Sequence, residues 1–164
     1  MRFWGDKMSG KPVERPRTWV PPPLVYAAGL GAAWWLQHRY RPLSWPVPAP
    51  LHRFAWALLG GGALLMAWAA ITIWRHKTTV NPYKAASALV TRGPFVFSRN
   101  PIYVADAISY LAGAILMGSF WPFIFAPLVW LIMRYAVIAH EETHLLAKFG
   151  AEYAEYCARV RRWL

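Results

Sequence analysis

Only seven acidic residues are spread over 164 positions, and two of them stand side by side, Glu141 and Glu142. Downstream of them Leu145, Phe149, Tyr153, Tyr156 and Val160 recur at helical spacing and form one apolar stripe. On the same wheel Glu142 falls inside the stripe, Glu141 at its edge, and His140 and His144 off it. A carboxylate turned toward an apolar face needs a partner or a ligand, because burying it unpaired is costly. A Glu near a helix start also answers the helix dipole, and both readings stay open. His140 and His144 flank the pair in a His-Glu-x-x-His string, the spacing of two zinc ligands around a general base. A catalytic zinc also needs a third ligand and a bound water, and no downstream His or Cys pattern supplies that ligand. No metal is expected.

The second group is Arg99-Asn100-Pro101-Ile102-Tyr103. Pro101 suits the first turn of a helix and Asn100 suits its cap. Arg99 would then stand beside a helix N-terminus, where backbone N–H groups favour an anion. A guanidinium can grip a carboxylate with two parallel hydrogen bonds. The plainer alternative is a linker with a capped helix start. Asp106, three residues past Tyr103, is an ionisable group in an apolar run and so a functional suspect. A solvated or Ser109-bonded structural role is the alternative. The single cysteine, Cys157, reads as a reduced, partly buried residue and not as a nucleophile.

The elements that must position these groups are greasy. The chain is 57% hydrophobic, with 11 Trp, 8 Tyr and 8 Phe, which excludes disorder. Charged residues make up only 15%, yet the net charge is +11. One cysteine excludes a disulfide scaffold. Apolar stretches at about 20–37 and 54–74 carry no Asp, Glu, Lys or Arg, and each is near the length that crosses a bilayer core. A third apolar region divides at Gly118-Ser119-Phe120-Trp121-Pro122 into spans near 101–118 and 121–138. The Pro-rich stretch Pro42–Pro50 reads as a stiff connection. Gly60-Gly61-Gly62 reads as close helix packing in lipid.

Four spans put the N-terminal tail, the second connection and the C-terminal part on one side, and those segments hold 15 of the 18 Lys and Arg. By the positive-inside rule that side is cytoplasmic. Trp34, Trp35, Trp45, Trp56, Trp74 and Trp121 lie near span ends, as an aromatic belt would. Basic residues dealt out between apolar segments do not build the single solvated face that nucleic acid requires, so no nucleic-acid partner is expected. The expected fold is all-α: one integral membrane domain over 1–164, with four transmembrane helices and a cytoplasmic C-terminal amphipathic helix. The expected location is the bacterial inner membrane, both termini in the cytoplasm.

Taken in order, Thr79-Val80-Asn81-Pro82, Leu89-Val90-Thr91-Arg92-Gly93-Pro94-Phe95, Arg99-Asn100-Pro101-Ile102-Tyr103, Glu141-Glu142 and Phe149-Gly150-Ala151-Glu152-Tyr153 through Val160 resemble the isoprenylcysteine carboxyl methyltransferase and phospholipid methyltransferase superfamily. The likeness is to its short bacterial members and covers about residues 75–162. It implies an integral membrane methyltransferase that uses S-adenosylmethionine, releases S-adenosylhomocysteine and takes a lipophilic substrate from the bilayer. Carried over, Arg99, Pro101, Tyr103, Glu141 and Glu142 line the cofactor pocket, with Asn100 in the same motif. The backbone of Leu89, Val90 and Gly93 approaches the adenine, and Arg159 lies near the substrate side. The chain departs from the prenylcysteine members at Asn100, Ala105 and Arg161, which bears on the acceptor.

A carboxylate or thiolate acceptor needs no general base. A protonated amine does, and His140 with the neighbouring Glu pair is then the nearest candidate. The expected function is methyl transfer to a carboxyl, amine or thiol on a lipophilic molecule. The alternatives are a non-catalytic membrane subunit of a larger complex and an NADPH-dependent reductase of the related sterol reductase fold.

Overall fold

The computed structural model of the chain describes residues 21–40, 43–76 and 88–164. The N-terminal basic cluster, Arg41, Lys77, Thr79–Pro82 and Lys84 lie outside the described residues. Among the described residues the chain is all-helical: α1 (Pro22–Tyr40), α2 (Ala49–Arg75), a 3-10 turn (Gly93–Val96), α3 (Pro101–Met117), α4 (Trp121–Ile132), a π-helical stretch (Met133–Ile138) and α5 (Ala139–Arg159). Among the described residues two helical stretches are long and apolar enough to cross a membrane, Ala49–Arg75 and the continuous run Trp121–Arg159.

Each helix starts and stops for a local reason. Pro22, Pro50, Pro101 and Pro122 sit in first turns, where a missing N–H costs nothing. Helix α2 begins at Ala49, five residues before the apolar run at Phe54. Pro48 holds the extended backbone (φ −60°, ψ 146°) that delivers the chain into it, so the stiff connection is shorter than its proline content suggested. Helix α3 ends at Gly118 in the left-handed conformation (φ 59°), whose N–H returns to the Ile115 carbonyl.

The two turns at that end are tied together. Trp45 N–H donates to the Gly118 carbonyl at 2.8 Å, and Phe120 N–H donates to the Leu43 carbonyl at 2.9 Å. The α1–α2 and α3–α4 connections therefore share one end of the bundle. The 3-10 turn and the start of α5 lie at the other.

Helix α2 packs along α3, and α1 lies against α3 and α4. The α2–α3 approach is close because of one glycine. A Cβ on Gly62 would come within 2.8 Å of Ser109 Oγ and 3.1 Å of the Ala105 carbonyl oxygen. Gly60 and Gly61 face open space, so only one of the three glycines makes the close packing that their run suggested. The core gathers Val25 and Tyr26 of α1, Tyr103 and Tyr110 of α3, Val129 of α4, and Met133, Val137 and Ile138 of the π stretch. Outside this core, large apolar side chains stand exposed along the helices. Leu64 is 73% and Trp74 76% exposed, as lipid-facing residues would be.

The last long helix is not regular. Pro127 lies inside α4, and the π turn from Met133 to Ile138 resets the helical phase just ahead of the Glu pair. The single C-terminal amphipathic helix expected from the apolar stripe is interrupted at Gly150, whose backbone (φ 53°, ψ −122°) is a conformation open in practice to glycine alone. The stripe survives the break in part, since Tyr153 and Tyr156 beyond it are buried.

Candidate functional site

The site forms where α3 begins and α5 begins, at the end of the bundle opposite the two tied turns. Pro101 at the first turn fixes the start of α3, so Arg99 and Asn100 lie immediately before it. Asn100 occupies the cap position, but its side chain makes no capping bond. Its Nδ2 donates instead to the Arg162 carbonyl at 2.9 Å, which corrects the capping role expected for it. From α5 come Glu141 and Glu142, then Leu145, and beyond the Gly150 break Tyr153 and Tyr156.

A cavity of about 100 Å³ opens between them. Arg99, Asn100, Glu141 and Glu142 form its polar side, and Ile73, Leu89, Val90, Phe95 and Leu145 its apolar side, with Tyr153 and Tyr156 alongside. Arg99 Nη1 lies 3.2 Å from Glu142 Oε1. Burial opposes the charge of Arg99, but the Glu142 carboxylate and the Cys157 sulfur outweigh it and raise its pKa above the ordinary value. The same Nη1 donates to Cys157 Sγ at 2.6 Å, so the cysteine acts here as a packing partner of the guanidinium.

Glu142 has a second cationic partner. Arg162 donates Nε to Oε1 at 3.0 Å and Nη2 to Oε2 at 2.5 Å, a two-pronged grip. Glu141 accepts from the Tyr103 hydroxyl at 2.8 Å. Burial raises the Glu141 pKa above the usual carboxylate value; the Tyr103 bond pulls it down and Glu142 pushes it up. Tyr153 is pushed up by burial and then by Glu142, and Tyr156 is pushed up to about 12, chiefly by burial. Tyr156 donates to the Phe95 carbonyl at 2.7 Å, pinning the 3-10 turn against α5.

Of the residues singled out in the sequence, Leu89, Val90, Arg99, Asn100, Glu141 and Glu142 meet around this cavity. Tyr103 touches it only through Glu141, and Pro101 is buried as part of the α3 start. Gly93 lies outside the lining, packed on Thr72 at a positive φ of 61°. His140 is exposed, away from the lining. Arg159 is exposed too, and its Nε reaches no further than the Glu155 carbonyl, at 3.4 Å. The arginine of the C-terminal segment that faces the site is Arg162. Its position just past the predicted helix carries no pattern of its own, which is why sequence reasoning passed it over. His144, expected off the apolar stripe, is buried. Among the described residues no cluster of three His, Cys, Asp or Glu could hold a metal.

A larger, almost wholly apolar cavity of about 320 Å³ lies further into the bundle, between α1, α3 and α4. Tyr26, Tyr110, Phe123, Ala126, Trp130 and Trp163 are among its walls. Near it Asp106 is only 9% exposed, and its Oδ2 has no hydrogen-bond partner among the described residues.

Among the described residues the fold is a helical bundle with two apolar stretches long enough to cross a membrane and an ion-paired pocket at one end. Residues 51–152 match the phospholipid methyltransferase family. The chain belongs to that family, and so to a group of methyltransferases that act at membranes. A Haemophilus influenzae protein described only as an uncharacterized protein is 35% identical over 63 residues, which is 38% of this chain and 100% of that one. No solved structure gives a significant match.

Proposed function

We propose that the protein is an S-adenosylmethionine-dependent methyltransferase for a lipophilic or membrane-embedded acceptor. The observation that carries this is the meeting of Arg99 with the Glu141–Glu142 pair beside an apolar wall, inside a chain of this family. Its membrane reading is four spans, with the Arg99–Glu142 end on the cytoplasmic face and the tied turns outside.

The donor set suits the cofactor. Arg99 offers a guanidinium to the methionine carboxylate, and its Nε is buried with no partner among the described residues. Glu142 offers a carboxylate to the ribose hydroxyls. Leu89, Val90 and Leu145 give an apolar bed for the adenine, and the aromatic ring of Tyr153 suits a neighbouring cation. The volume fits less well, since small-molecule sites measure about 300–1,000 Å³ and this cavity is smaller.

Bound S-adenosylmethionine supplies an electrophilic methyl group on a sulfonium. The chain's task is then to hold two reactants in line and keep water out. Arg99 fixes one end of the cofactor and Glu142 orients the middle. Leu145, Tyr153 and Tyr156 close the pocket against solvent. The 320 Å³ apolar cavity is the place for the acceptor's hydrocarbon part. Where the acceptor is a protonated amine, Glu141 is the nearest lining group that can take the proton, held by Tyr103.

The test is transfer of a tritiated methyl group from S-adenosylmethionine in membranes containing the protein. Label should pass into the organic extract with wild type and not with Arg99→Ala. No transfer by folded wild type into any bilayer lipid or lipophilic acid, amine or thiol would overturn the reading.

A further inference from the structure

After α5 the chain turns extended at Val160 (φ −120°, ψ 131°) and crosses back over the start of α3. Three bonds hold this strap. Arg99 N–H donates to the Arg161 carbonyl at 3.0 Å, Asn100 Nδ2 to the Arg162 carbonyl at 2.9 Å, and Ser98 Oγ to the same carbonyl at 3.4 Å. Its two central side chains serve different sites. Arg162 grips Glu142 at the polar pocket, and the next residue, Trp163, forms part of the wall of the 320 Å³ apolar cavity. The indole N–H of Trp163 is buried without a partner among the described residues, so no hydrogen bond fixes that ring in place.

A count of acceptors shows what this grip means for a ligand. The two oxygens of a carboxylate offer about four lone-pair sites. On Glu142, Arg162 takes two, one on each oxygen, through Nε and Nη2. Arg99 Nη1 stands 3.2 Å from one of the same oxygens as an ion pair. The pocket beside them is closed down to about 100 Å³. A ligand that binds Glu142 through a diol therefore competes with the Arg162 fork for the same two oxygens.

We propose that Arg162 is a latch: it holds the Glu142 carboxylate while the cofactor site is closed, yields it to the cofactor's ribose, and in moving shifts Trp163 in the wall of the apolar cavity, coupling the two sites. This rests on the cofactor reading above. Arg162 is thus a positioning residue, acting through Glu142 and the strap. Cofactor binding and lipid admission become linked events, because two neighbouring residues of one strap touch both sites.

The experiment is calorimetric titration of the purified full chain with S-adenosylhomocysteine, in wild type, Arg162→Ala and Arg162→Lys. Removing a competitor tightens binding, by about three- to tenfold in Arg162→Ala. Arg162→Lys keeps the charge without the two-pronged fork and should fall between; it carries the same test if the alanine variant does not fold. In parallel, the fluorine resonance of 5-fluorotryptophan-labelled protein that disappears in Trp163→Phe should shift on saturation with S-adenosylhomocysteine. Equal or weaker binding in the Arg162 variants overturns the latch alone, and an unmoved Trp163 resonance overturns the coupling. Absence of binding in wild type and both variants overturns the cofactor reading, and the latch with it.

Discussion

Tyr103 donates its phenolic hydrogen to Glu141 across 2.8 Å, tying the first turn of α3 to the first turn of α5. The bond joins the two elements that build the pocket, and it also holds down the pKa of a carboxylate that burial pushes up.

Tyr103→Phe removes the donor and leaves the acceptor in place, which should cost about 1–3 kcal/mol of stability. The pH dependence has a definite sign. A buried Glu with a raised pKa keeps its proton better in the folded chain than in the unfolded one. Its contribution is full below the ordinary Glu value and is lost as pH rises through the raised one. Glu141→Gln should therefore flatten the fall in thermal midpoint as pH rises above the ordinary Glu range, read in detergent. Parallel profiles for the two proteins would remove Glu141 as the source.

Gly62→Ala should destabilise the bundle by about 1–3 kcal/mol, because a methyl there meets Ser109 Oγ and the Ala105 backbone. Gly60→Ala, two residues away with open space around it, should be neutral or stabilising by up to about 1 kcal/mol from helix propensity. Thermal midpoints of the two variants check this. Equal effects would mean that α2 and α3 are not in the contact described.

Gly150→Ala puts a side chain on a backbone at φ 53° and should cost about 1–3 kcal/mol. It should also weaken ligand binding, because the break at Gly150 aims Tyr153 and Tyr156 at the pocket. A variant with unchanged thermal midpoint and unchanged ligand affinity would show that the helix can run straight there.

How much of this was legible in the sequence follows from what each signal measures. The apolar runs gave the helices because hydrophobic length is a property of the chain itself. The prolines and Gly118 marked ends for the same reason. The convergence of Arg99 with Glu141 and Glu142 was readable from a stripe, a helix start and a family resemblance. The break at Gly150 was not, since a glycine within an amphipathic pattern is compatible with a continuous helix and only the tertiary packing selects φ 53°. Arg162 was hidden because its role depends on the strap folding back over α3, a long-range event with no local periodicity. Arg159 drew attention by motif alone, and the helix carries it to the exposed side.

Orientation is open to a labelling experiment. In a Cys157→Ser background, a membrane-impermeant maleimide should label Pro46→Cys in intact spheroplasts and Glu152→Cys only after lysis, both positions being exposed. The reverse pattern would invert the topology.

The central claim is that Arg99 and the Glu141–Glu142 pair form an S-adenosylmethionine site. Titration of purified wild type and Arg99→Ala with S-adenosylhomocysteine tests it most directly. Wild type should bind one molecule per chain, and Arg99→Ala should lose tenfold or more in affinity, the scale of a hydrogen-bonded charge pair worth about 1.5–3 kcal/mol. Folded wild type that takes up no S-adenosylhomocysteine, or an Arg99→Ala variant that binds it as tightly as wild type, would contradict the account.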